Sequence, residues 1–121
     1  MKMEKLTEAE LGLAEIIWEA EPMSSSELVR ICDSRFSWKK STTYTMLKRL
    51  QSKGIFKNES GLITALISKE TYHVNQSRVF VKETFGGSLP KFITAFTRNR
   101  KLSNQEAEEL IELIERHREE K

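Results

Sequence analysis

The chain has 121 residues, 31% of them charged and 38% hydrophobic, with a formal net charge of +2. That length suggests one domain or two very small ones, with a core thin enough to gain from oligomerisation. No stretch approaches the ~18 apolar residues that cross a bilayer, and "MKMEKLTEAE" has no apolar leader segment, so a cytoplasmic protein is expected. In chain order, "LTEAELGLAEIIWEA" predicts a first helix. Thr7 is its N-cap, Glu10 completes a capping box, and Leu6 and Leu11 form a hydrophobic staple. Leu11, Ala14 and Trp18, with Leu13 and Ile17, make one apolar face, and the helix should end near Ala20 because Pro22 follows. "SSSELVRICDS" predicts a short second helix with a box at Ser24 and Glu27 and a face of Leu28, Ile31 and Cys32. Cys32 is the lone cysteine, which fits a small core residue in a reducing compartment. Phe36 and Trp38 follow in a loop and should cover the edge of the core.

"KKSTTYTMLKRLQSKG" predicts the third helix. Thr43, Met46, Leu47 and Leu50 should face inward, Ser41, Thr45, Lys48 and Ser52 outward with Thr42 and Arg49 beside them, and Gly54 should cap the end. After Gly54 the period changes. "IFKN" and "LITALIS", with "ESG" between them, predict a two-stranded hairpin that must pack on the helices before it. From Ser68 the pattern is helical. "SKETYHVNQSRVFVKETF" stops at Gly86 and Gly87. "SLPKFITAFTRN" carries Leu89, Phe92, Ile93 and Phe96 on one face, with Pro90 in its first turn. "SNQEAEELIELIERHREE" opens on a third box, Ser103 and Glu106, and carries Ala107, Leu110, Ile111 and Ile114. The expected fold is mainly α with a small β-hairpin. Residues 1–68 form a winged helix-turn-helix and residues 69–121 a three-helix unit whose surplus apolar faces suggest dimerisation.

Charge is unevenly spread. Between Ser34 and Asn58 stand Arg35, Lys39, Lys40, Lys48, Arg49, Lys53 and Lys57, and no acid. That is a basic stripe in a near-neutral chain. In a winged helix-turn-helix the helix before the wing enters the major groove. Such a helix needs short hydroxyls near its start for base edges and long cations beside them for phosphates. Lys39, Lys40, Ser41, Thr42, Tyr44, Thr45, Lys48, Arg49 and Lys53 have that layout and are the candidate DNA-binding residues.

Four segments carry a family resemblance along nearly the whole chain. "LTEAELGLAEIIWE" resembles the first helix of the penicillinase-repressor family, the BlaI/MecI repressors and their CopY-type copper-responsive relatives. "TTYTMLKRLQSKG" resembles that family's T-[VI]-x-T-L-L-x-R-L-x-x-K-G recognition helix. "FGGSLPKFITAF" resembles its F-G-G-S segment, and "LSNQEAEELIELIE" its final helix. The resemblance implies a homodimeric transcriptional repressor that occludes a promoter by binding a palindromic operator built on TACA/TGTA elements. Thr42 and Thr45 match the family threonines that face the groove, Arg49 the arginine near the DNA backbone, and Lys53 and Gly54 the helix exit. Phe80, Phe85, Leu89, Phe92, Ile93, Phe96, Leu110, Ile111 and Ile114 are the expected dimer seam. In β-lactam-responsive relatives a partner protease cuts an Asn-Phe bond in the helix after F-G-G-S; the matching pair here is Ala95 and Phe96. The wing "KNESGLITALIS" departs from relatives with basic and aromatic wings, so it should add little affinity.

Nothing in the sequence frames an active site. His73 and His117 stand on different helices, no motif surrounds a nucleophile, and the paired C-terminal cysteines of copper-responsive relatives are missing. Glu106, Glu108, Glu109 and Glu112 scatter around their helix as a solvated face does. No enzyme, metal or cofactor is expected. The rival reading is a helical adaptor that uses the same fold to bind protein.

Overall fold

The computed structural model describes residues 5–119. The first four residues, part of the stretch read for a leader, and the last two, part of the final helical pattern, lie outside the described residues. Helix α1 spans Glu8–Ala20. Thr7 is extended and its Oγ1 accepts from the Glu10 N–H at 3.2 Å, while Glu10 Oε1 accepts from the Thr7 N–H at 2.9 Å. The capping box is therefore complete, which satisfies donors that a helix start leaves open. Before Pro22, Glu21 turns to ψ 146° and ends the helix.

The strand β1, Met23–Ser24, is only two residues long. Helix α2, Ser25–Phe36, follows directly, with Ser24 Oγ accepting from the Glu27 N–H at 3.1 Å. The reciprocal half of this expected box is not made, because the Glu27 carboxylate lies 3.5 Å from Arg30 instead. Helix α3 spans Lys40–Ser52. Its inward stripe is the expected one: Thr43, Met46, Leu47 and Leu50 are all buried. Gly54 takes φ +78° just past the helix, where a side chain would be strained, and its N–H bonds the Gln51 carbonyl.

Strands β2, Phe56–Glu59, and β3, Leu62–Ala65, form the expected hairpin. Ser60 and Gly61, at φ 53° and 87°, make its two-residue turn, a geometry whose twist suits antiparallel strands. The sheet has three strands rather than two, in the order β1-β3-β2, with Met23 opposite Ile63. Two residues are too few for alternation to reveal a strand. Phe56, Ile63, Leu13, Ile17, Leu28, Leu47 and Cys32 meet in one core. Trp18 seals its side: its ring lies 5.5 Å from that of Phe56, and Nε1 donates to the Ile67 carbonyl at 3.0 Å.

Helix α4 spans Lys69–Phe85, α5 Leu89–Thr97 and α6 Asn104–Arg116. The chain divides into two compact units, one ending at Val79 and the other beginning at Phe80. The expected boundary near Ser68 is the start of α4. The helix runs on across the division, so residues 69–79 belong with the N-terminal unit, where Tyr72 is buried and its hydroxyl accepts from the Leu6 N–H at 2.9 Å. In the second unit Phe80, Phe85, Phe92 and Phe96 form a chain of ring contacts 5.5–6.0 Å apart. Ser88 and Ser103 cap α5 and α6 by accepting from Lys91 and Glu106. The third expected box, like the second, is half made: the Glu106 carboxylate faces Arg100 at 3.9 Å.

Candidate nucleic-acid interface

With four positions of α3 committed to the core, helical geometry decides what the other side presents. Ser41, Thr42, Thr45, Lys48, Arg49 and Ser52 are all exposed. Lys39 and Lys40 are exposed at the helix start, where no side chain caps the open N–H groups and no acid stands in the first turn. A positive helix end carrying further cations is unfavourable by itself and attracts an anion. The surface is thus short hydroxyls flanked by cations.

Two of the expected residues have other partners. Tyr44 is half-buried, and its hydroxyl donates to Ser25 Oγ at 3.1 Å, which turns the phenol toward the start of α2. Ser25 in turn donates its N–H to the Gly61 carbonyl at 2.8 Å, so the turn of the wing shares this anchor. Lys53 lies in the basic stripe, but its ammonium stands 2.6 Å from Glu10 Oε1 and also donates to the Lys5 carbonyl at 3.3 Å. Burial pushes the Glu10 carboxyl up, but hydrogen bonds from Lys53 and Thr7 and the Lys53 charge outweigh it, leaving the group below its ordinary value. Glu10, Thr45, Lys48, Arg49, Ser52 and Lys53 line one open groove along α3.

Sequence reasoning found Glu10 as a capping residue and missed it as the partner of Lys53. Forty-three positions separate the two, and no local signal spans that distance. Lys57 Nζ lies 2.7 Å from Glu59, and that contact holds the Glu59 carboxyl below its usual range, so the wing carries an internal pair rather than an open cation. Cys32 is fully buried, which pushes its thiol up despite a hydrogen bond with Thr43, the condition of an inert core cysteine. His73 lies beside the rings of Trp18 and Tyr72, and a ring nitrogen of His117 is 2.9 Å from the Leu113 carbonyl.

A family model described as the penicillinase repressor matches residues 6–116. The chain is 27% identical to the penicillinase repressor of Bacillus licheniformis, over 97% of this chain and 94% of that protein. It is 24% identical to the penicillinase repressor of Staphylococcus aureus, over 93% of each. Among solved structures it resembles the solution structure of the Bacillus licheniformis BlaI monomeric form in complex with the blaP half-operator. There the TM-score is 0.50 at 27% identity, covering 59% of this chain and 92% of that one.

Proposed function

Because the chain belongs to the penicillinase repressor family, we propose that it is a DNA-binding transcriptional repressor that occupies a palindromic operator as a homodimer. The observation that carries this is the exposed face of α3, where hydroxyls and cations stand together without an acid. The similarity to a repressor solved with half-operator DNA supports duplex DNA as the ligand. In this reading Ser41, Thr42 and Thr45 meet base edges in the major groove, and Lys39, Lys40, Lys48 and Arg49 meet phosphates.

The second unit supplies the dimer. Neither α5 nor α6 has a buried residue. Phe80, Leu89, Ile93, Phe96, Ile111 and Ile114 are exposed in the single chain, and Phe85, Phe92 and Leu110 only partly covered. Covering such a face with a second copy stabilises by about 25 cal/mol per Å² of apolar area. Two chains then present two α3 helices to the two halves of a palindrome, and repression is occlusion. Release by a regulatory protease would act on α5 at Ala95 and Phe96, both of which are exposed.

Titration of the chain with a TACA/TGTA palindrome and with a scrambled duplex, at low and raised salt, tests the reading. Tighter binding to the palindrome, with affinity falling steeply as salt rises, is expected. Equal and salt-independent binding to both duplexes would overturn it in favour of an adaptor that binds protein.

A further inference from the structure

We infer that Lys53 is a positioning residue for DNA binding that acts through Glu10 and touches no phosphate. The inference rests on the DNA-binding reading above. By sequence Lys53 extends the cation row one turn beyond Arg49, and both line the same groove. Its surroundings separate it from that row. The Lys53 side chain retains 17% of its exposure and Glu10 only 3%, with nitrogen and oxygen 2.6 Å apart. A phosphate would have to take this ammonium from a carboxylate that keeps too little exposure for water to replace the lost partner fully. Leaving a buried charge without its partner is among the costlier changes a fold can undergo.

The receiving frame is itself fixed. Glu10 Oε1 also accepts from the Thr7 N–H at 2.9 Å, the Lys5 carbonyl accepts a second hydrogen bond from the ammonium at 3.3 Å, and the Leu6 N–H donates to the Tyr72 hydroxyl at 2.9 Å. Lys53 therefore fastens the exit of α3 to the segment that starts α1. Thr45, Lys48 and Arg49, which line the groove beside that fastening, keep their register on a duplex only while it holds.

The test compares the parent with Lys53→Met, Lys53→Arg, Glu10→Gln and Arg49→Ala on the palindromic duplex. Each is measured across a salt series at a temperature where melting curves show every variant folded. Glu10→Gln is the discriminating variant, since it removes a negative charge beside the groove. If Lys53 contacted phosphate, that change would leave binding unaltered or tighten it. As a positioning pair, Glu10→Gln and Lys53→Met should each weaken operator binding by about tenfold, the scale of a lost base contact. Both should keep the parent's salt slope, while Arg49→Ala lowers it. Lys53→Arg should restore most of the affinity, and the double variant Glu10→Gln with Lys53→Met should be no weaker than either single one. A reduced slope for Lys53→Met with parental or tighter binding by Glu10→Gln overturns the inference, as does parental affinity in both. A parent chain that binds neither palindromic nor scrambled duplex overturns the DNA-binding reading and this inference together.

Discussion

Thr45 and Arg49 stand one turn apart on the exposed face of α3, yet they should fail in different ways. A threonine reaches a base edge through a hydroxyl or a methyl, so Thr45→Leu should cost about 1–3 kcal/mol on the preferred operator and reduce discrimination. An arginine on a phosphate carries no sequence information. Arg49→Ala should weaken all duplexes alike and lower the salt slope by about one unit per subunit. Titrations on palindromic and scrambled duplexes distinguish the two, and parental binding by both variants would reduce α3 to a surface helix. Glu10 makes a prediction about pH. Its folded carboxyl titrates below its ordinary value, so as pH falls the unfolded chain takes up this proton first. The stability it contributes is complete above the unfolded carboxylate pKa and is lost as pH falls through the lower, folded value. Urea unfolding at neutral and acidic pH should show a shallower acid loss for Glu10→Gln than for the parent. Equal losses would mean that Glu10 does not supply this sensitivity.

Side-chain caps here are of two kinds. Ser24 and Ser103 each accept one N–H, whereas Thr7 and Glu10 satisfy each other's backbone donors. Thr7→Ala should therefore cost about 1 kcal/mol or somewhat more, within the range for a lost N-cap. The Ser103→Ala change, at a solvated end, belongs to the lower part of that range. Thermal unfolding of both variants checks the order, and a larger loss for Ser103→Ala would contradict it. The inward stripe of α3 and the Gly-containing hairpin turn were legible in the sequence because a period and a turn residue are local signals. The strand β1 was not, because its two residues become a strand only through pairing with β3.

For the molecule as a whole, the apolar surface of α5 and α6 is the dominant fact. Ile111 is 60% exposed within one chain, so Ile111→Asp removes little that the single chain buries. If α6 faces a second copy, the substitution places a charge in an apolar seam. Sedimentation at micromolar protein should then show a dimer for the parent and a folded monomer for Ile111→Asp, with unchanged circular dichroism. A monomeric parent would refute the dimer, and an unaffected variant would remove Ile111 from its seam.

What the sequence determined by itself was what repeats locally: the caps at Thr7, Ser24 and Ser103, the inward period of α3, the turn at Gly61 and the acid-free basic stripe. The caps, the period and the turn depend on residues within a turn or two of one another, where backbone geometry alone sets which side chains are neighbours, and the stripe is read directly along the chain. Only the tertiary structure decided which cations of that stripe remain open. Lys48 and Arg49 face outward, while Lys53 is drawn to Glu10 and Tyr44 to Ser25. Those partners lie on other helices, and burial between packed helices, rather than residue type, selects them.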